Sequence, residues 1–406
     1  MEKVFVIAGG EWQKPLVRKV KELGYEAVNS NLYPDSPAFQ YADHAEITDV
    51  RDKETNLAIG RKYGVNAVLT DESDIAVPTV AYVSETLELP GIGQEKASLF
   101  TNKYKMCRFA RMHGLNVPEY ACCVSGQEAA EFVRNLLDGG VCSRAIIKPL
   151  DSQSSRGVYI LERPEDAEVF YELSASCSTD KKSVIVEQYI EGTEFTVDGI
   201  VIGGKHYSLA VSEKKHYAYN PNIASELFFS YENPRFDYEV LRRQNDRFVE
   251  MAELSFGLTH AEYKFEKGRY YLIEIAARGG GTRISSDIVP RLTGVDVYKI
   301  LIEKALGHAS AEDSFHPVIP YSRCGVLKFL DAAFDGGRVT SIEGVDEILS
   351  DPDVLELHLE FKVGDELYLA SDDRSRIGFY IAFGESRQEL REKMHWIERT
   401  LRISYE

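Results

Sequence analysis

Short apolar runs alternate with amphipathic stretches through the first 95 residues. VFVIAG reads as a strand, and WQKPLVRKVKELG as a helix stopped by Gly24. YEAVNSN and AEITDV follow as strands, then a helix through LAIGRKYG, then a strand at VNAVLT. This β-α-β order predicts a parallel sheet with open, Rossmann-like winding. Residues 101–113 (TNKYKMCRFARMH) carry a helical pattern closed by Gly114. A compact unit comes next: strand EYACCV, helix EAAEFVRNLLDGG, strand RAIIKP, a Ser-rich loop, strand GVYIL, helix PEDAEVFYELSA and strand SVIVEQYI. TEFTVDGIVIGGKHYSLAVSEK alternates as an antiparallel pair turning at Gly203-Gly204. A helix is expected from Tyr238 to Gly257. Strands HAEYKFEKG and RYYLIEIAAR then turn tightly at Lys267-Gly268, and VDVYKILIEKALG forms another helix. From Pro317 onward, strands GVLKFL, LELHLEFKV and GFYIAFG precede a final helix. The pattern divides into an N-terminal α/β unit (1–95), a central unit (96–315) and a small C-terminal α+β unit (316–406). The boundary falls at His316–Pro320.

Composition narrows the class. A chain of 406 residues suits two or three domains, and 44% hydrophobic with 28% charged residues is ordinary for a soluble globular protein. No apolar run is long enough to span a bilayer, and MEKVFVIAGG is too short in its apolar part for a signal core. A cytoplasmic protein without a membrane partner is expected. The net charge of −18 speaks against a nucleic-acid partner, which requires clustered Lys and Arg. Six cysteines without a C-x-x-C pair read as reduced thiols rather than disulfides or a zinc site.

Candidate chemistry begins with a decoy. Gly199 to Lys205 fits G-x-x-x-x-G-K, but His206 stands where Ser or Thr belongs, and the stretch reads strand–turn–strand. A phosphate-binding P-loop needs a strand feeding a helix. Lys148 is more informative. It ends an apolar strand, where an ammonium is costly without an anion. Ser152, Ser154, Ser155 and Gly157 then offer hydroxyls and amides as a phosphate cradle, although a plain hairpin with a solvated lysine fits the same letters. VEQYI (186–190), followed by Glu194, offers strand backbone for an adenine edge and a carboxylate for ribose hydroxyls. Glu262 and Glu274 sit in neighbouring, tightly turned strands among apolar residues. Two carboxylates at one level of a hairpin ask for a cation between them. Arg278 follows, backed by Gly279, Gly280 and Gly281, which let a ligand approach the backbone closely.

In order and spacing, Asn102-Lys103, IIKP, SSRGV, VEQYIEGTEF and the E-x11-E-x3-R run from Glu262 to Arg278 resemble the ATP-grasp superfamily. The triglycine and RIGFYIAFGES are similar to its carbamoyl-phosphate-synthase-like and L-amino acid ligase-like branch. The resemblance implies an ATP-grasp fold with a Rossmann-like N-terminal domain, a C-terminal α+β domain and a mobile lobe at about 118–190. It implies that Lys103 and Lys148 bind ATP phosphates under a loop containing Ser154, Ser155 and Gly157. Glu187, Gln188, Tyr189 and Ile190 would hold adenine, and Glu194 ribose. Glu262 and Glu274 would bind Mg²⁺, or Mn²⁺ in its place. Arg278 would act catalytically with Lys148, and Gly279–Gly281 would border the substrate. The family commonly has Asn two residues after the second metal Glu; this chain has Ala276. The implied activity is an ADP-forming ligation of a small-molecule carboxylate to an amine through an acyl phosphate. Alternatives are a carboxylase using bicarbonate and a nucleotide-binding regulator without turnover. The Ser-rich loop, in place of a glycine run, speaks against biotin carboxylase. Family habit adds a homodimer.

The acceptor pocket is expected near the triglycine, Gly9-Gly10, Glu72 and the aromatic, uneven segment 214–235, which reads equally as a substrate loop, a packing loop or a dimer contact. Lys214, Lys215 and Arg235 offer charge to a carboxylate there, but on so polar a stretch each reads as solvated surface.

Overall fold

The computed structural model describes residues 1–152, 155–332 and 336–406. Strands β1 (Lys3–Ile7), β2 (Glu26–Asn31), β3 (His44–Ile47) and β4 (Ala67–Leu69) form a parallel sheet in the order β3-β2-β1-β4. Successive residues of β1 face opposite ways. Val4 and Val6 pack with Leu16, Val17 and Val20, while Phe5 and Ile7 pack with Leu57 and Val68. Both faces are covered, as the open winding requires.

Residues 94–112 form two helices, and the second starts at Lys103, two residues later than expected. Gln94–Thr101 ends where Asn102 leaves the helical conformation and accepts the Lys105 amide, starting Lys103–Met112. An Asn side chain competes well for the free amides of a helix start, which breaks the run. Lys103 thereby becomes the first residue of a helix, its own amide bonded to the Leu150 carbonyl.

The next unit carries β5 (Tyr120–Cys123), β6 (Ala145–Pro149), β7 (Tyr159–Leu161) and β8 (Val184–Gln188), antiparallel in the order β5-β8-β6-β7. Helices Gly126–Asp138 and Pro164–Ala175 close a separate core around Val133, Ile147, Leu161 and Val186. Strands β9 (Thr193–Ile202), β10 (Lys205–Tyr217), β11 (Asn220–Phe229), β12 (Gly257–Glu266) and β13 (Arg269–Ala276) build the central sheet. Gly203 and Gly204, with φ of 59° and 75°, make the β9–β10 turn, so the P-loop-like letters are a hairpin.

The helix after β11 spans Tyr238–Met251 and stops short of Gly257, which opens β12. Segment 214–235 is also not the loop expected from its uneven pattern. It ends β10 and supplies β11, whose Ile223, Ala224, Leu227 and Phe229 enter the main core. Register shifts between Lys215 and Tyr217 account for the broken alternation.

The chain closes with β14 (Cys324–Phe329), β15 (Gly337–Glu343), β16 (Val354–Leu359), β17 (Glu366–Leu367), β18 (Gly378–Gly384) and β19 (Arg402–Tyr405). Strand β14 pairs with β11, so one sheet of eight strands, β13-β12-β9-β10-β11-β14-β18-β16, runs across residues 316–320. Strands β17, β15 and β19 form a small separate sheet. Among the described residues no helix is long and apolar enough to cross a membrane.

Candidate active site

The lobe carrying β5–β8 faces the central sheet across a cleft, and charged side chains from both meet there. Lys103, buried, donates to Glu274 Oε1 at 2.7 Å and to the Ser152 carbonyl at 2.9 Å. Lys148 on β6 forms an ion pair of 2.6 Å with Glu187 on adjacent β8. Burial pulls the Lys148 ammonium toward the neutral form, but Glu187 more than offsets this, and its pKa is raised. The expected contact of Glu187 with adenine is through strand backbone, and its side chain has a separate partner. Its carboxylate is committed to Lys148 and accepts from the Cys107 thiol at 3.5 Å, so only its backbone remains for a base. Gln188, Tyr189 and Ile190 line the same cleft, where Lys264 donates to the Ile190 carbonyl at 3.1 Å. Ser155, at φ 56°, donates to the Asn222 carbonyl at 3.1 Å and ties the phosphate-loop segment to β11. Gly157 has φ 71°, and a Cβ there would meet Pro149 Cγ at 2.9 Å. Ser154 lies outside the described residues.

The strand register sets the remaining groups. Glu262 on β12 lies directly opposite Glu274 on β13. Like charges so placed repel. Each is met by an ammonium at 2.7 Å, Lys214 on Glu262 and Lys103 on Glu274. Lys214 also reaches Glu194 at 2.6 Å, its cross-strand partner on β9. Burial pushes the Glu194 carboxyl up, but Lys214, His216 and Lys264 hold it well below the usual range. Burial likewise opposes Lys214, yet Glu194 and Glu262 raise its pKa. Lys214 is thus a buried centre of the site and not the solvated residue the sequence suggested. Lys215 and Arg235 are more than half exposed and pair with Glu226 and Glu213.

Among the described residues, no three His, Cys, Asp or Glu are grouped to hold a metal. Two opposed carboxylates that already attract cations suit Mg²⁺, which is bound by one or two carboxylates plus substrate phosphates. Ala276 offers no ligand oxygen and sits opposite His260, which is paired with Asp198 at 2.8 Å.

Arg278 grips Asp74 of the N-terminal unit through Nε (3.0 Å) and Nη2 (2.7 Å), and Nη1 donates to the Gly279 carbonyl at 2.8 Å. Burial opposes the guanidinium's charge, but Asp74 more than compensates and its pKa is raised. The glycine run is clamped from the same side. The Gly279 amide donates to Asp71 at 2.6 Å, and Tyr298 donates to the other Asp71 oxygen at 2.6 Å. A Cβ on Gly279 would come within 1.8 Å of Ser285 Oγ, and one on Gly280 within 2.5 Å of Asp198 Oδ1. Gly281 is open, and it faces a second cavity of about 880 Å³. The first cavity, about 110 Å³, holds the lysines, Glu187–Ile190 and Glu194. Lys214, Glu262 and Glu274 line both, so the carboxylate pair marks their junction.

Comparison with known proteins agrees with this arrangement. Residues 142–287 match the model of the ATP-grasp domain, and residues 332–406 match L-amino acid ligase C-terminal domain 2. The chain carries an ATP-grasp domain. Dapdiamide A synthase from Enterobacter agglomerans is 24% identical over 80% of this chain and 76% of its own. The formate-dependent phosphoribosylglycinamide formyltransferase of Prochlorococcus marinus (strain MIT 9515) is 25% identical over 48% of this chain and 50% of its own. The match thus spans about half the length of such formyltransferases. In fold, the L-amino acid ligase from Bacillus licheniformis superposes with TM-score 0.80 at 19% identity, covering 100% of this chain and 99% of that one. Phosphoribosylglycinamide synthetase from Anaerococcus prevotii gives 0.77 at 17% identity, with both chains fully covered.

Within the ATP-grasp site, sequence reasoning missed Lys214, Lys264, Asp71 and Asp74. Lys214 had a usable signal. Counting outward from the Gly203-Gly204 turn brings it opposite Glu194 to within one residue. Gly9 and Gly10 do not line either cavity; Trp12 does.

Proposed function

We propose that this protein is an ADP-forming carboxylate–amine ligase acting on small molecules, with amino acids as its substrate class. The observation that carries the reading is the opposed Glu262–Glu274 pair at the junction of the narrow, lysine-lined cleft and a larger cavity. In this reading Lys103 and Lys148 meet the ATP phosphates, with the Glu187 ion pair fixing the Lys148 ammonium. Ser155 and Gly157 lie over the phosphates, the Glu187–Ile190 backbone borders adenine, and Glu194 takes the ribose hydroxyls. Glu262 and Glu274 would hold Mg²⁺ or Mn²⁺, which neutralises charge between the phosphates. The substrate carboxylate attacks the γ-phosphorus, ADP leaves, and an acyl phosphate remains. The amine attacks its carbonyl carbon, and phosphate departs from the tetrahedral intermediate. Arg278, held against Asp74, presents its remaining N–H groups to the developing oxyanion. The work of the protein is positioning and charge neutralisation.

The L-amino acid ligase C-terminal match favours this reading over bicarbonate as the carboxylate. Retention of both lysines, both glutamates and Arg278 favours it over a silent nucleotide binder. The test is ADP and phosphate release from Mg-ATP against a matrix of paired amino acids, with bicarbonate as a separate arm. Release requiring two amino acids, lost by orders of magnitude in Glu274→Gln, supports the ligase. AMP and pyrophosphate as products, or release driven by bicarbonate alone, would overturn it.

A further inference from the structure

The segment between β4 and the first turn of the next helix brings three acids, Asp71, Glu72 and Asp74, against the triglycine. Two are fully committed in hydrogen bonding. Asp71 accepts from the Gly279 amide and from Tyr298, and Asp74 accepts twice from Arg278. Glu72 differs. One of its oxygens accepts the Thr282 amide at 3.0 Å. The other is buried and has no hydrogen-bond partner. Among the described residues Glu72 makes no ion pair. The nearby cations already have acids of their own: Arg278 has Asp74, and Arg283 has Glu356 and Asp287. His260 is taken by Asp198.

The backbone adds a second observation. Glu72 sits at φ 53°, in the left-handed region that costs a non-glycine residue on the order of 1 kcal/mol. A glycine would relieve that cost, yet a glutamate stands there and lines the larger cavity beside Arg278 and the open face of Gly281. A carboxyl kept in a strained position, half satisfied and facing a substrate-sized cavity, is set up for a cationic ligand.

We propose that Glu72 receives the ammonium group of the amine substrate and accepts one of its protons. The inference rests on the ligase reading above. The ligand class is a primary amine that arrives protonated, such as the α-ammonium of an amino acid. Trp12, Leu327 and Phe379 supply an apolar wall for its side chain. The proton balance closes. One ammonium proton passes to the Glu72 carboxylate. The freed lone pair forms the C–N bond to the acyl-phosphate carbon, the C–O bond to phosphate breaks, and the second nitrogen proton leaves with phosphate. Burial, and next the Asp71 charge, push the Glu72 carboxyl well above its ordinary range; Arg278, Arg283 and the Thr282 amide act in the opposite sense. A carboxyl of this kind is a better proton acceptor than an exposed one.

Hydroxylamine separates the steps, because it is uncharged at neutral pH and attacks acyl phosphates without first losing a proton to the protein. The full-length chain is given Mg-ATP and the twenty amino acids as donors. Hydroxamate formation with hydroxylamine and dipeptide formation without it are then measured. Glu72→Gln is expected to keep hydroxamate formation within about threefold while losing dipeptide formation by about a hundredfold. KM for the amine should rise and KM for ATP should not. Glu72→Asp, which keeps the charge, should recover part of the dipeptide activity, and it stands in if the Gln variant folds poorly. Equal loss of both products in both variants would reduce Glu72 to a structural role and overturn the proposal, as would full dipeptide activity in Glu72→Gln. A wild-type protein making neither product would overturn the ligase reading itself.

Discussion

At the residue scale the site is a balance of buried charges, and two residues respond to pH in opposite directions. Lys214 bridges Glu194 and Glu262. Removing one partner of a buried ion pair leaves the other charge uncompensated and costs about 3 kcal/mol. Lys214→Met should therefore destabilise the ligand-free protein by about that amount, read from urea unfolding near pH 7. Both glutamates have folded pKa values below the usual range despite burial, so their contribution is present above that range and is lost as pH falls through the folded values. The gap between wild type and Lys214→Met should thus be widest at neutral pH and close in acid. Glu72 has the reverse sign. Its raised pKa means that the folded state bears a cost when the carboxyl is ionised, so Glu72→Gln should unfold at higher temperature than wild type at pH 8. That advantage should vanish below about pH 4, where the carboxyl is protonated in both states. An unchanged or lower melting temperature at pH 8 would contradict it. Much at this scale was legible in the sequence. Lys148, Glu262 and Glu274 were found because a charge at the end of an apolar strand, or among apolar neighbours, is conspicuous; Arg278 stood out by the glycine run behind it, and Lys103 came only with the family resemblance. Lys214 was not, because its neighbours Glu213, Lys215 and His216 are polar as well, and only strand register reveals that it points inward.

At the element scale, tight turns made strand pairs readable and irregularities hid others. The Lys267-Gly268 turn places Glu262 and Glu274 at one level, and the register confirms it. The bulged end of β10 disguised β11 as a loop, and Asn102, capping the helix at Lys103, moved its start two residues beyond the expected Thr101. Strand β17, of two residues, is too short to show alternation. The glycine run after β13 is the element most sensitive to change. Gly280→Ala would bring a Cβ within 2.5 Å of Asp198 and 2.9 Å of His260, which are hydrogen-bonded to each other, and His260 lines the larger cavity. The turn must then shift and carry Arg278 with it. Turnover should fall by about a hundredfold while ATP affinity, measured by calorimetry, changes little. A matched loss of ATP affinity would show that the turn supports the nucleotide cleft instead.

At the scale of the whole molecule, the lobe of β5–β8 has its own core, and the cavity between it and the central sheet is about 110 Å³. Nucleotide-sized pockets are roughly 300 Å³ or more. In the proposed function the lobe therefore moves away to admit ATP and then closes, excluding water from the acyl phosphate. Hydrogen exchange across residues 145–161 should slow on adding Mg-ATP; unchanged exchange would contradict the motion. The eight-stranded sheet extends without a break into the C-terminal unit, so Arg374, Arg376 and Phe379 reach the same cavity as Glu72 of the N-terminal unit. All three parts of the chain thus border one cavity, and in the proposed function the reaction there passes through an acyl phosphate. The most direct test uses amino acids labelled with ¹⁸O in the carboxylate, taken from pairs that support ADP release. Mass spectrometry of the products should find one ¹⁸O transferred into the released phosphate, alongside ADP and a dipeptide. Unlabelled phosphate, or ¹⁸O appearing in AMP, would contradict the account.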